Sequence, residues 1–258
     1  ACLYRADLEG AWCDAADLSM SYAKATSFKD ARMRHCSFRG ANYDVSFFWG
    51  TDLWGSDFRG FIGLGTVFDG ANDYLSIATA NDSELDFATT EAFSTSSWVY
   101  PTTMAGSAEQ DGIITKWDDH SVTPLRGYRV VVENDDADTT GNFQVELYDE
   151  SADQAITATG ANDTVDVNTW YHVVTTFNGG VAGAADDLKL YVNGVLIDGN
   201  NANASFLGLE DVAADFVIGL YDPTDDDAAT TGFTGRIDEV TIFAETLTAD
   251  QVKHLYDV

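Results

Sequence analysis

The sequence predicts an all-β protein with two modules: a short β-solenoid, then an antiparallel two-sheet sandwich that ends in a short helix. Residues 1–60 repeat with a period of five, and residues 61–258 contain many short β-type runs between turn signals. The charged side chains are also distributed differently on the two sides of the boundary at residue 60. The first module carries 7 basic and 8 acidic side chains, whereas the second carries 6 and 35 and therefore nearly all of the formal net charge of -30.

Twelve pentapeptides follow one another without a break in residues 1–60, from ACLYR to SDFRG. The first position is always Ala, Ser, Thr or Cys, and the third is nearly always apolar and mostly large. A period of five fits neither an amphipathic helix nor a strand. It fits a solenoid that turns a corner every five residues and points these two positions inward. Such a stack needs covered ends, so we expect further coils or a partner subunit at the N-terminal end.

These repeats closely resemble the pentapeptide-repeat family over all of residues 1–60. The resemblance implies a right-handed quadrilateral β-helix with four repeats per coil, and hence three coils. Outward-facing Trp12, Trp49 and Trp54 form a candidate interface patch. The alternative is that they pack under loops of the second module.

The second module alternates β-branched and aromatic runs with turns rich in Gly, Asn, Asp and Thr. Asn193-Gly194, between two alternating runs, is the strongest hairpin signal, since both positions of a type I′ turn need a positive φ. Only residues 247–257 have a helical pattern, with Thr248 as the N-cap and Gln251 completing a capping box. Ten or more short strands in one segment predict a two-sheet sandwich.

Six segments follow one another along this module: FDGANDYLSI (68–77), FSTSSWVYPTT (93–103), GIITKW (112–117), TWYHVVTTFNG (169–179), LKLYVNGVLIDG (188–199) and GRIDEVTIFAETLTADQVKHLYD (235–257). Together they resemble the LamG-like jelly-roll family, a concanavalin A-like lectin/glucanase sandwich, over residues 65–258. The resemblance implies a domain that is usually non-catalytic, binds sugars, proteins or other surface ligands, and often carries calcium.

The strong acidity excludes several classes of partner. Nucleic acid binding through phosphate neutralisation needs clustered Lys and Arg, which this chain lacks. No apolar run approaches the roughly 18 residues of a membrane span. A carboxylate-covered surface suits saline surroundings, where salt screens self-repulsion. We therefore expect an extracellular, cell-surface or virion-surface location.

One turn has the composition of a calcium site. Asp69, Asn72 and Asp73 offer several oxygen ligands within five positions. The LamG-like resemblance places the IDEV carboxylate Asp238 beside this turn. We expect a structural Ca²⁺ ion that holds the first and last strands together. The alternative is that Asp69 and Asn72 only accept hydrogen bonds from turn amides.

Two acidic groups in predicted loops are candidate ligand residues. One contains Asp118 and Asp119, and the other contains Asp222, Asp225 and Asp226 beside Tyr221, a candidate stacking residue. They indicate a ligand or second calcium site at one end of the sandwich, or else solvated loop charge. Four aromatic residues in apolar runs are expected in the core: Trp98, Trp117, Trp170 and Phe243.

The sequence contains no nucleophile elbow, phosphate loop or zinc signature. It also lacks a convincing pair of carboxylates for glycoside hydrolysis. We therefore expect a non-enzymatic surface recognition or adhesion module that binds carbohydrate or a protein surface. The alternative is a structural component of a larger assembly, such as a virion decoration or fibre protein or a surface layer, docked through the solenoid. A glycoside-active enzyme is the third interpretation.

Overall fold

The computed structural model describes residues 2–19, 21, 23, 26–38, 51, 65–71, 73–104, 109–119, 123–134, 140–162, 164–180, 187–199, 202–222 and 232–257. In the first module, parallel bridges join Asp7 to Ser27, Trp12 to Arg32 and Asp17 to Ser37. Each bridge spans 20 residues, so one coil contains four pentapeptides, as the resemblance implied. The third coil and the boundary near residue 60 lie outside the described residues, except for Thr51.

The two inward positions of each pentapeptide have different roles in the solenoid. Third-position side chains fill the axis, where Phe28, Met33 and Phe38 are completely buried. Two first-position threonines hydrogen-bond to the coil before them: Thr26 Oγ1 donates to the Leu3 carbonyl at 2.6 Å, and Thr51 Oγ1 donates to the Phe28 carbonyl at 2.7 Å. A small hydroxyl at this position fits beside the axis and pairs a buried carbonyl oxygen.

The corners of the solenoid lie at the fifth position. Five described residues there have left-handed φ values between 54° and 65°: Arg5, Gly10, Ala15, Asp30 and His35. Left-handed backbone is costly for residues with a Cβ, but the corner is held by hydrogen bonds to the neighbouring coil. The Ala15 N–H, for example, donates to the Arg34 carbonyl at 2.7 Å.

Thirteen strands among the described residues form two antiparallel sheets. The first sheet contains, in spatial order, β1 (Thr66–Asp69), β13 (Thr234–Phe243), β3 (Phe93–Pro101), β9 (Tyr171–Phe177), β10 (Leu188–Val192) and β11 (Val195–Asp198). The second contains β2 (Leu75–Ile77), β12 (Phe216–Ile218), β4 (Glu109–Asp118), β5 (Leu125–Asn134), β6 (Thr140–Asp149) and β7 (Gln154–Thr159), and β8 (Val165–Asp166) pairs with β6. This is the predicted all-β sandwich.

Both sheets contribute alternate residues to one apolar core. Val99 on β3 and Ile237 on β13 meet Val130 on β5 and Val145 on β6 in the same buried cluster. Every second residue of these strands faces the opposite way, so the two outer faces carry a separate set of side chains. Those outer faces contain the candidate sites.

Two local predictions for this module are confirmed. Asn193 and Gly194, with φ values of 51° and 74°, join β10 to β11 as a hairpin. The helix α1 (Ala249–Asp257) begins after Thr248, whose Oγ1 accepts the Gln251 N–H at 3.3 Å while Gln251 Oε1 accepts the Thr248 N–H at 2.8 Å. Within the described part of the chain, no helix has the length and apolarity needed to cross a membrane.

Candidate functional site

The outer face of the six-stranded sheet carries aromatic and charged side chains. Val99 is completely buried in the core, so its neighbours Trp98 and Tyr100 point outward from β3. The same alternation on β13 points Arg236 and Asp238 outward, on either side of the buried Ile237. Two adjacent strands therefore present these four side chains on one surface.

Strand pairing arranges these side chains in two rows. Arg236 pairs with Tyr100, and Asp238 pairs with Trp98. Trp170, immediately before β9, packs against Tyr100 with the two ring centroids 5.2 Å apart. All five residues are partly exposed. We call Trp98, Tyr100, Trp170, Arg236 and Asp238 the outer aromatic strip.

The C-terminal helix covers the neighbouring part of this face. Val252 of α1 packs with Val174 and Tyr191 in a separate apolar cluster. In its last turn, Tyr256 stacks on Trp98 with the ring centroids 5.8 Å apart and the planes 26° apart. The helix thus bounds the strip on one side.

Asp238 occupies an unusual position in β13. A β-bulge follows it, and Glu239 takes a left-handed φ of 49°. The Glu239 N–H donates to Asp238 Oδ1 at 2.8 Å. Burial, together with the charge of Glu239, raises the pKa of Asp238 to about 7. This carboxyl group therefore gains or loses its proton near neutral pH, and it can donate a hydrogen bond only in the protonated form.

His172 lies beside Trp98 on the same face. Its Nε2 is 2.9 Å from Ser96 Oγ, and its ring centroid is 5.1 Å from that of Trp98. Burial lowers the pKa of His172 to about 4. The imidazole is therefore neutral at physiological pH and packs against the strip without adding charge.

Three sequence-predicted ligand residues come together near the ends of β4 and β12. Asp119 Oδ2 accepts hydrogen bonds from Trp117 Nε1 and the Tyr221 hydroxyl, both at 3.0 Å. Asp222 Oδ2 accepts the Asp119 N–H at 2.8 Å. Arg129 lies with its guanidinium carbon 4.2 Å from the Trp117 ring centroid. The group forms one connected polar network.

The side chains around this network point into the protein more than toward solvent. Asp222 is completely buried and Asp118 is only 9% exposed. Burial raises the pKa of the Tyr221 hydroxyl above its usual range. The contacts indicate that these residues hold the sheet end in place. Asp225 and Asp226 lie outside the described residues.

The predicted calcium residues Asp69 and Asp73 are neighbours. Asp73 Oδ2 accepts the Asp69 N–H at 3.1 Å, and Asp69 Oδ1 accepts the Ala71 N–H at 2.9 Å. Burial, and then the charge of Asp69, raise the pKa of Asp73. Asn72 lies outside the described residues. Among the residues that the structure describes, no three His, Cys, Asp or Glu side chains are grouped closely enough to hold a metal ion.

Asp238 does not lie beside that turn, which corrects the expected ligand set. In the β1–β13 register, Asp69 pairs with Thr234 and Thr66 pairs with Ile237. Asp238 is four residues along β13 from Thr234, a separation of about 13 Å at about 3.3 Å per residue. The antiparallel register places the two carboxylates at opposite ends of β1.

Three of the four expected core positions of the aromatic residues need correction. Trp98, Trp170 and Phe243 are partly exposed on the outer face of the six-stranded sheet. Trp117 is buried as expected, at 2% exposed, and packs against Tyr148. The sequence contained a signal for the strip in the alternation Trp98-Val99-Tyr100, which places the two rings on one face and valine on the other.

Of the predicted interface residues, the structure describes Trp12. Its side chain is 84% exposed, and the guanidinium carbon of Arg32 lies 5.5 Å from its ring centroid. Trp49 and Trp54 lie outside the described residues.

Two antiparallel sheets around one core, preceded by pentapeptide coils, define a jelly-roll sandwich module attached to a β-solenoid. The family model described as the concanavalin A-like lectin/glucanases superfamily matches residues 69–253, and the chain belongs to this superfamily. The pentapeptide-repeat model matches eight copies in residues 1–41.

Several solved structures share this fold. The binding domain of Paraclostridial Mosquitocidal Protein 1 is 17% identical with a TM-score of 0.54, and the match covers 72% of this chain and 41% of that one. The Botulinum neurotoxin serotype G binding domain is 18% identical with a TM-score of 0.51, covering 74% and 41%. This chain therefore spans about two fifths of the length of those domains. A search of curated proteins finds no match.

Proposed function

We propose that the sandwich is a non-enzymatic, extracellular recognition module that binds carbohydrate through the outer aromatic strip. The observation that carries the proposal is the strip itself. Tyr100 and Trp170 offer partly exposed rings, and Asp238 and Arg236 lie in adjacent positions on the same face. Aromatic rings stack on the apolar faces of sugars, and flanking charged groups hydrogen-bond their hydroxyls. The related folds are named as binding domains, which agrees with such a role.

The charge of the module favours a neutral glycan. The sandwich has 35 acidic and 6 basic side chains. In the described part of the chain, Lys116, Arg126, Arg129 and Lys253 are already in ion pairs with acidic residues. An anionic sugar would meet a strongly negative potential, whereas a neutral one would not.

Replacing Tyr100 with Ala is expected to weaken binding to a neutral glycan by tenfold or more. The substitution removes one of the two stacking rings, and tenfold corresponds to about 1.4 kcal/mol. A glycan array identifies the ligand, and titration calorimetry compares the variant with the native protein. Tyr148→Ala is the matched control, because Tyr148 is a partly exposed tyrosine on the other sheet.

Equal loss of affinity in both variants would contradict the assignment of the strip. A native protein that binds no neutral glycan on the array would contradict the carbohydrate proposal. If the same protein also self-associated through the solenoid, the result would favour the alternative role in a larger assembly.

We also propose a structural Ca²⁺ ion at the turn that carries Asp69 and Asp73. Their adjacent carboxylates and the raised pKa of Asp73 support the proposal, because a divalent cation would relieve this repulsion. Adding Ca²⁺ after chelation should raise the melting temperature by several degrees, the effect of a ligand that binds only the folded state. Asp69→Asn should abolish this shift, whereas Asp211→Asn, at an exposed position, should preserve it. No shift in the native protein contradicts the proposal.

The solenoid supplies the second candidate function, a docking element in a virion, fibre or surface layer. The specific observation is Trp12, because a tryptophan that is 84% exposed is typical of an interface anchor. The net charge of -30 agrees with saline surroundings for either role.

A further inference from the structure

A buried cluster around Lys116 has no part in the proposed recognition site. Lys116 on β4 pairs in register with Tyr128, a core residue, and points the same way, into the sandwich. Its residue exposure is 1%. Lys116 Nζ lies 2.6 Å from Asp82 Oδ2, 2.8 Å from Asp86 Oδ1 and 2.8 Å from the Ala214 carbonyl oxygen.

The charges in this cluster do not balance. One ammonium group faces two carboxylates, and Asp82 is completely buried. Asp82 Oδ1 has no hydrogen-bond partner, and Asp86 Oδ1, despite its short distance to Nζ, is outside hydrogen-bonding geometry. A buried carboxylate oxygen without a partner is costly. The cluster therefore holds an extra proton or has a different covalent structure.

The surroundings favour neutral groups. Phe87 and Phe93 stack with ring centroids 4.4 Å apart, and Tyr128 lies 6.0 Å from Phe87 and 5.1 Å from Phe93. Burial raises the pKa of Asp82. An apolar environment favours a neutral amine and a neutral carboxylic acid over the ion pair, and these are the reactive forms for making an amide.

We propose that Lys116 and Asp82 become joined by an isopeptide bond after the chain folds. With the extra proton on Asp82, the Lys116 ammonium passes one proton to the Asp86 carboxylate, and the free Nζ lone pair attacks Cγ of the Asp82 carboxylic acid. As the Nζ–Cγ bond forms, Nζ gives a second proton to the Asp82 hydroxyl oxygen, the Cγ–O bond breaks and water leaves, while Asp86 keeps the first proton. An ammonium, a carboxylic acid and a carboxylate are thus converted into one amide, one carboxylic acid and one water, with no oxidant or other reactant.

The amide satisfies the polar groups that the ion cluster does not. Its N–H keeps the hydrogen bond to the Ala214 carbonyl, and the remaining Asp82 oxygen becomes a carbonyl that accepts from protonated Asp86. No net charge then stays buried among the aromatic rings. Holding the reacting groups within 3 Å of each other supplies the proximity that such condensations need.

Intact-mass spectrometry of the denatured full chain tests the proposal directly. The expected mass is lower than the sequence mass by one water molecule. After cleavage on the carboxyl side of glutamate, which occurs at Glu84, Glu91 and Glu109 between the two residues, the peptide containing Asp82 should remain attached to the one containing Lys116. A native protein with the full sequence mass and separate linear peptides overturns the proposal.

Two variants identify the source of the lost water. Lys116→Arg keeps the positive charge but cannot form this bond, so its mass should equal its sequence mass. A loss of water in Lys116→Arg as well would place the dehydration elsewhere and overturn the proposal. Asp86→Asn should form the bond much more slowly, and an unchanged rate would overturn the proton-transfer role of Asp86. The peptide map of the native protein decides the question even if Lys116→Arg does not fold.

Discussion

Replacement of Lys116 by Met is expected to lower the free energy of unfolding by at least about 3 kcal/mol. Methionine occupies a similar volume but leaves Asp82 and Asp86 without the cation that lies within 3 Å of both. Removing one partner of a buried ion pair leaves an uncompensated charge, and loss of the proposed isopeptide bond would add to the effect. Urea denaturation at pH 7, monitored by tryptophan fluorescence, measures the difference.

The control variant also removes the two carboxylates that are left without a cation. Lys116→Met combined with Asp82→Asn and Asp86→Asn should recover part of the lost stability, because neutral amides cost less to bury than carboxylates. A single Lys116→Met variant as stable as the native protein would show that the cluster does not hold the sandwich together.

Asp238→Asn is expected to stabilise the protein at pH 8, by on the order of 4 kcal/mol at most. The folded-state pKa of Asp238 is about 7, above its ordinary value of 3.8, because the carboxyl group is buried. The folded state therefore binds this proton more tightly than the unfolded state, and stability present below about pH 4 is lost as the pH rises through 7. Asparagine does not ionise and avoids this loss.

The measurement compares Asp238→Asn with the native protein in urea at pH 5 and pH 8. The stability advantage of the variant should be larger at pH 8 and shrink at pH 5. Asp211→Asn, which replaces an exposed aspartate, should show no such pH-dependent difference. If Asp238 binds glycan, the variant should also bind more weakly, which is the trade-off expected when a strained or desolvated group serves function.

The parts of this protein that depend on local geometry could be predicted from its sequence. The five-residue period predicted a solenoid, and the pentapeptide-repeat resemblance implied the four repeats per coil that the bridges 20 residues apart confirm. Asn193-Gly194 and the Thr248–Gln251 capping box are similarly short-range, since each involves backbone and side-chain contacts within a few residues. Such features need no knowledge of the rest of the fold.

The sites depend on contacts between distant segments. The position of Asp238 relative to Asp69 depends on the register of β1 and β13, two strands separated by more than 160 residues in the chain. A family resemblance placed Asp238 near the first turn, but the paired residues place it beside Trp98. Aromatic residues in apolar runs were expected in the core because composition alone does not identify which sheet face is covered.

The sequence by itself thus determined the all-β class, the solenoid period, the hairpin and the helix cap, because repeats, turns and caps are short-range interactions. Only the tertiary structure decided that Lys116 meets Asp82 in the core, that Asp119 and Asp222 face inward, and that Trp98 and Tyr100 face outward. The physical reason is that these positions are set by strand register and by burial. Register depends on which distant strands pair, and burial depends on which faces the sheets and the helix cover, so the information is spread over the whole chain.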